Sequence, residues 1–158
     1  MPNLPRALWL IALVGALASP LPAQAQAPAG RYVTGSDAFI NGPGGVATVT
    51  DTKTKLTWQR DFSGPMAYED NPLGACESLN FDTGAIGWRL PTLRELLTIV
   101  DYAGDHGPNA LIDDRYFPGT PTAGFVSSTS TPRRLRECVD FTQGWIGCGE
   151  MNYWRCVR

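Results

Sequence analysis

The sequence predicts an α+β fold, and three observations point to it. Two β-prone runs near residue 50 flank a polar turn, two helical patterns occupy the middle of the chain, and several short strand candidates follow a long irregular stretch. Strands and helices that are segregated along the chain, instead of alternating, are typical of α+β domains. We therefore expect two helices packed on small antiparallel sheets, with a long irregular loop region before the last strands.

The strands are predicted from β-branched and aromatic runs bounded by turn residues. Residues 47–50 and 56–59 form a predicted hairpin, and the stretch 101–122 is rich in Gly, Pro, Asn and Asp, which indicates turns. Later strand candidates are residues 124–127, 138–141, 145–146 and 153–157.

Both helices have recognisable starts. Asn71 before Pro72 is typical of an N-cap followed by proline at the first helical position. Thr92 and Glu95 have the spacing of a capping box. Apolar residues then recur at helical spacing after it: Leu93, Leu96, Leu97 and Val100.

The N-terminal residues resemble a secretory signal peptide. Arg6 precedes an apolar run from Ala7 to Ala18, and small residues with prolines follow. The run is shorter than a membrane-spanning helix requires, so an uncleaved anchor is the minor alternative. We expect a signal peptide at residues 1–25, a flexible leader or a weak first strand within 26–45, and one domain at 46–158. The predicted localisation is the periplasm, the cell surface or the extracellular space.

The charge balance disfavours nucleic acid as a partner. The chain has 13 Lys and Arg against 15 Asp and Glu, and of these only Arg6 leaves with the signal. The mature protein is therefore mildly acidic, at a net charge of about −3. We expect neither nucleic-acid binding nor membrane insertion of the mature chain.

All four cysteines lie in the exported part, where disulfides are the default expectation. Four cysteines allow three pairings, and the sequence alone does not choose between them. Pairing Cys138 with Cys148 closes a short loop, and pairing Cys76 with Cys156 ties the middle of the chain to its last strand. The chain-entropy estimate gives these bridges about 2.7 and about 4.5 kcal/mol respectively.

Five residues are candidates for ligand contacts: Arg133, Arg134, Arg136, Trp145 and Trp154. The arginines form the only basic cluster and can engage sulfated glycans or another polyanion; the alternative is a solvated charged loop. The tryptophans can stack on a sugar ring, although core packing is the commoner role of a tryptophan.

Two further side-chain groups are interpreted as non-functional: His106 as a solvated loop histidine, and a set of aspartates as turn residues. His106 is the single histidine and has no serine or cysteine in a catalytic motif near it, so no catalytic residue is expected. Asp101, Asp105, Asp113 and Asp114 do not have the spacing of a calcium loop. The favoured explanation is that these aspartates support turns. No cofactor is therefore expected, and no sequence motif supports the alternative of a bound calcium ion.

Residues 88–97, WRLPTLRELL, with Val100, Asp101 and Tyr102 after them, resemble the signature of a bacterial domain family. The family is named after the C-terminal domain of the Legionella collagen-like protein (Lcl). Residues 49–60, 116–118, 127–129 and 155–158 resemble its other landmarks in the same order. The resemblance implies a C-type-lectin-like fold, with Cys76 bonded to Cys156 and Cys138 bonded to Cys148.

The function implied is that of an exported, non-catalytic binding or adhesion module. Its ligand would be an extracellular polysaccharide, a sulfated glycan or a protein, held by loops on a disulfide-braced scaffold. One alternative is a structural component of a cell-surface or appendage assembly. A less favoured alternative is an enzyme similar to the formylglycine-generating enzyme, which needs reactive cysteines or a metal.

Overall fold

A computed structural model describes most of the chain beyond the predicted signal peptide. The described residues are 28–35, 47–67, 69–79, 84, 86–103, 108–132 and 135–158. The predicted signal peptide therefore lies outside them. Within the described ranges, none of the helices has the length and apolar character needed to cross a membrane.

The described residues form seven strands and two helices, so the α+β prediction is confirmed. The elements are β1 (Tyr32–Thr34), β2 (Thr48–Asp51), β3 (Thr57–Gln59), α1 (Pro72–Glu77), α2 (Leu93–Thr98), β4 (Gly124–Ser130), β5 (Arg136–Asp140), β6 (Trp145–Ile146) and β7 (Asn152–Tyr153).

The first sheet has the order β1-β2-β3 and is antiparallel throughout. The predicted hairpin is its β2–β3 pair. Its turn is held by Asp51, a buried residue whose Oδ1 accepts the backbone N–H groups of Lys53 at 2.8 Å and Thr54 at 3.3 Å. The segment 26–45 includes β1, so the strand alternative applies to Tyr32–Thr34. Buried Tyr32 joins the core there.

The second sheet has the order β6-β5-β4-β7. The pairs β4–β5 and β5–β6 are antiparallel, but β7 lies parallel to β4, which corrects the expectation of antiparallel sheets alone. The chain reaches that edge by passing close to Gly124. A Cβ atom on Gly124 would lie 2.5 Å from Asn152 Oδ1 and 3.3 Å from the backbone nitrogen of Gly149. A side chain at this position would crowd the backbone of Gly149, so a glycine suits the close crossing.

Both helix starts are as predicted. The Asn71 side chain accepts from the backbone N–H of Gly74, and Pro72 begins α1. Thr92 and Glu95 form a complete capping box at the start of α2. Each helix is only six residues long, so packing against the sheets provides most of their stability.

The core consists of two clusters that meet opposite faces of the β4–β5 hairpin. Phe125 and Val139 belong to the larger cluster, which also contains Val49, Trp58, Leu96 and Phe117. Val126 and Cys138 point to the other face and join a smaller cluster around Trp88 and Leu90. Trp58 and Trp88 are both buried and belong to the larger and the smaller cluster respectively.

The last residues of the chain connect the two sheets. After β7, the backbone of Arg158 exchanges two hydrogen bonds of 2.9 Å with Thr57 in β3. Val157 exchanges two more bonds, also of 2.9 Å, with Arg89. Residues 157–158 are therefore held from both sides, by β3 and by the residues before α2.

Two disulfides brace this arrangement. Cys76 on α1 is bonded to Cys156, and Cys138 on β5 is bonded to Cys148. This is the pairing implied by the family resemblance. The long bridge is buried in the smaller cluster, whereas Cys148 lies at the surface.

Candidate functional site

The arginine hairpin is the β4–β5 connection, defined here as residues 131–136. Arg136 is half-buried at the start of β5, opposite Ser130. The backbone N–H of Thr131 donates to the carbonyl of Leu135 at 2.8 Å and closes the tip. Arg133 and Arg134 lie outside the described residues, so Arg136 is the member of the basic cluster whose position the structure gives.

The disulfide between Cys138 and Cys148 fixes the base of the arginine hairpin. Cys148 Sγ lies 3.6 Å from the carbonyl oxygen of Arg136, and the N–H of Gly147 donates to the carbonyl of Cys138 at 2.9 Å. These contacts extend the β5–β6 ladder beyond the two residues of β6. Strand β5 is therefore paired along its length, with β4 on one side and residues 145–148 on the other.

Trp145 stands on the outer strand of this ladder, and 56% of it is exposed. Its indole Nε1–H points to Asp140 Oδ2 at 3.4 Å, and Asp140 is its cross-strand partner. The other carboxylate oxygen of Asp140 accepts the N–H of Thr142 at 2.6 Å. We call this group, Trp145 with Asp140, the indole–carboxylate pair.

Trp154 occupies a different place. It is partly buried against the smaller cluster, and its backbone pairs with Ser63. Strand β6, which contains Trp145, and strand β7, which directly precedes Trp154, form opposite edges of a four-stranded sheet and lie about 14 Å apart. The structure therefore does not bring Trp145 and Trp154 into one site.

Arg136 and Trp145 lie on the same face of the second sheet. Residues 136, 138 and 140 alternate onto one face of β5, and Trp145 lies opposite Asp140. The two side chains thus leave the same face, about 13 Å apart along the strand. Of the five candidates, these are the two that the structure places on one surface.

The signature residues meet at a junction between α2 and β4. The carbonyl of Pro91 accepts from the backbone N–H of Ser128 at 2.7 Å and from its hydroxyl at 3.2 Å. The N–H of Leu93 donates to Thr129 Oγ1 at 3.0 Å. Hydrogen bonds at this α2–β4 junction therefore hold together the motifs around residues 91 and 128. The role that these bonds give the motifs is structural.

Arg89 and Glu95 form an ion pair at this α2–β4 junction. Two nitrogens of the Arg89 guanidinium donate to the two carboxylate oxygens of Glu95 at 2.8 and 2.7 Å. These bonds, together with those from Thr92, lower the pKa of Glu95 to about 2, against the opposing effect of partial burial. The carboxylate is thus fully ionised at neutral pH and serves a structural role.

The aspartates of the long loop support turns. Asp101 accepts from Ala103 N–H, Asp114 accepts from Gly119 N–H, and Asp113 is buried with three bonds from Arg115. Among the described residues, no group of three or more His, Cys, Asp and Glu side chains is placed to hold a metal. Asp105 and His106 lie outside those residues.

Two structural residues were not predicted from the sequence. Asp140 lies opposite Trp145 in the β5–β6 pair. The one sequence signal for this pairing was Gly144, a turn residue between the two. Arg155 is buried, and its guanidinium donates to the carbonyls of Gln59 at 3.1 Å and Arg60 and to Thr120 Oγ1 at 2.8 Å. Burial lowers the pKa of Arg155 to about 9, partly offset by Asp61.

Comparison with known proteins identifies the family. The family model of the Lcl C-terminal domain matches residues 47–158, which is most of the chain. No curated protein and no solved structure gives a significant match. The matched range contains both disulfides, both helices and six of the seven described strands. The chain therefore belongs to the Lcl C-terminal domain family.

Proposed function

We propose that this protein is an exported, non-catalytic binding or adhesion module that contacts an anionic extracellular polysaccharide, such as a sulfated glycan, through the arginine hairpin. One observation carries the proposal. Three arginines lie within four residues of a mildly acidic chain, and the strand β5 that begins at Arg136 is held by the disulfide between Cys138 and Cys148. Guanidinium groups bind sulfate and carboxylate in paired hydrogen bonds.

Export is supported by two independent features. The first 25 residues have the pattern of a cleavable signal, and both disulfides belong to the residues that follow it. Disulfides persist in the periplasm and outside the cell. The hairpin would then meet ligands outside the cytoplasm.

A non-catalytic role is supported by the state of the cysteines. The chain has four, and the two bridges use all of them. An enzyme similar to the formylglycine-generating enzyme would need a reactive thiol or a metal. The bridges favour a scaffold role for the cysteines instead.

A structural role in a surface or appendage assembly is the second candidate function. Ile146 on the edge strand β6 is 59% exposed, and Met151, directly before the opposite edge strand β7, is 61% exposed. Exposed apolar side chains beside an open strand edge are typical of surfaces that contact another protein. A fixed protein partner and no glycan binding would favour this candidate.

The test is a glycan and polyanion binding array on the protein without residues 1–25. The variant Arg133→Ala/Arg134→Ala/Arg136→Ala should lose at least about tenfold in affinity for sulfated glycans and much of the salt dependence of binding. The control removes three exposed positive charges elsewhere, with Lys53→Ala/Lys55→Ala/Arg94→Ala, and should bind as the wild type does. Equal binding by wild type and the arginine variant, or binding by neither, would contradict the proposal.

A further inference from the structure

Trp145 differs from the other described tryptophans in its exposure. Trp58 and Trp88 are buried, and Trp154 packs against the smaller cluster. More than half of Trp145 faces solvent, although an indole gains considerable free energy from burial. This exposed aromatic surface is left without a packing role within the described domain.

The exposed indole is nevertheless held in place. Its Nε1–H is directed to Asp140, and the disulfide between Cys138 and Cys148 holds the strand that carries it. A Cβ atom on Gly147 would lie 3.9 Å from the indole Cδ1 and Nε1 atoms, so the ring lies over a residue without a side chain. A fixed aromatic ring loses little conformational entropy when a ligand stacks on it.

The turn that precedes Trp145 is fixed as well. Gly144 has a φ of +73°, and its N–H donates to the carbonyl of Asp140 at 2.7 Å. The hydroxyl of Tyr102 donates to the carbonyl of Gly144. The position of the indole therefore depends on contacts from both sides of the turn.

Asp140 determines which ligand suits this ring. Its carboxylate is half-exposed and only accepts hydrogen bonds, and each of its oxygens makes one bond within the protein. Its remaining lone pairs suit hydroxyl donors. A sulfate or carboxylate group on a ligand would be repelled at the same place.

We propose that the indole–carboxylate pair is a subsite for an uncharged pyranose ring. The C–H face of the sugar stacks on the Trp145 indole, and a sugar hydroxyl donates to Asp140. This inference rests on the proposed function and deepens it. Because Arg136 leaves the same face of β5 about 13 Å away, one polysaccharide chain can reach both places.

The experiment follows the indole N–H signals of the protein without residues 1–25 by nitrogen-edited NMR. Cellohexaose, mannohexaose and chitohexaose are the neutral probes, and a heparin hexasaccharide is the anionic one. Trp145→Phe identifies the Trp145 signal by its loss. We expect a neutral probe to shift the Trp145 signal and to leave those of Trp58 and Trp88 in place.

Three variants then separate stacking from general apolar contact. Trp145→Ala should weaken binding of the neutral probe by roughly tenfold or more, and Asp140→Asn by several fold, because the amide keeps one acceptor oxygen. Ile146→Ala is the matched control. It removes an exposed apolar side chain from the adjacent position, which alternates to the other face, and should leave binding unchanged.

The outcomes are distinct. If none of the neutral probes shifts the Trp145 signal, or if Ile146→Ala weakens binding as much as Trp145→Ala does, the subsite is refuted. Heparin binding that depends on the arginines would then still support the proposed function. Neutral-probe binding without any heparin binding would refute the arginine contact and leave the subsite standing.

Discussion

The α2–β4 junction and the indole–carboxylate pair lie at different parts of the second sheet, and they use polar groups differently. At the junction, the carbonyl of Pro91 and the hydroxyl of Thr129 bond to backbone groups of neighbouring elements. At the pair, Trp145 leaves its ring exposed, and Asp140 retains room for further donors. The groups of the junction bond to one another, whereas in the proposed subsite the pair keeps part of its bonding capacity for a ligand.

This difference separates the family signature from the candidate site. Residues 88–97 and 127–129 contain the signature, and their side chains hold α2 against β4. Arg136, Asp140 and Trp145 lie outside those motifs. Ligand preference can therefore vary within this architecture without change at the junction.

The largest expected effect comes from the two disulfides. Cys76→Ala/Cys156→Ala should lower the free energy of unfolding by about 4.5 kcal/mol, and Cys138→Ala/Cys148→Ala by about 2.7 kcal/mol, because the first bridge closes the longer loop. Urea unfolding of the three proteins measures both values. Binding should show the opposite order, since the short bridge fixes β5 and β6. Equal binding loss in the two variants would contradict the division between scaffold and site.

A smaller effect is expected at the junction. Thr129→Val keeps the shape of the side chain but removes the acceptor for the N–H of Leu93, and should cost about 1 kcal/mol of stability. Glycan binding should stay at the wild-type level. Thr142→Val, an exposed threonine beside the site, is the matched control for stability and should change it by only a few tenths of a kcal/mol.

A third expected effect is a pH dependence of stability at Glu95. Because the folded-state pKa of Glu95 is lowered from 4.5 to about 2, its ionised form stabilises the fold above pH 4.5. This contribution is lost as the pH falls from 4.5 towards 2. Glu95→Gln keeps an N3 side chain that can cap α2 but removes the ion pair with Arg89.

The measurement for Glu95 is thermal unfolding between pH 2 and pH 6. The gap between wild type and Glu95→Gln should be largest near pH 6 and should close at the acid end. Glu77→Gln removes an exposed carboxylate on α1 and is the control. A gap that stays constant with pH would show that the ion pair is not responsible.

Local patterns in the sequence predicted much of the fold. The capping box of Thr92 and Glu95 and the Asn71–Pro72 start depend on residues a few positions apart, and both are present. The parallel pairing of β7 was missed, because it depends on Gly124 leaving room for a distant segment. The burial of Arg155 was missed for the same kind of reason, since its acceptors lie 35 or more positions away.

Prediction of the candidate site from the sequence was limited in the same way. Arg136 and Trp145 are conspicuous residues and were predicted as contacts from their chemistry. Asp140 was not, because only the register of β5 with β6 places it opposite the indole. Trp154 resembles Trp145 in the sequence, and only the three-dimensional position distinguishes a packing residue from an exposed one.

Residues 154–158 also affect the order in which the domain can fold. It supplies hydrogen-bond partners to Thr57 and Arg89, and Cys156 is one half of the long bridge. A ribosome releases these residues after everything they bind. Under the proposed export, Cys76 enters the oxidising compartment 80 positions ahead of Cys156, and until Cys156 arrives Cys76 can bond to Cys138 or Cys148 instead. The yield of correctly folded protein should accordingly depend on a disulfide isomerase.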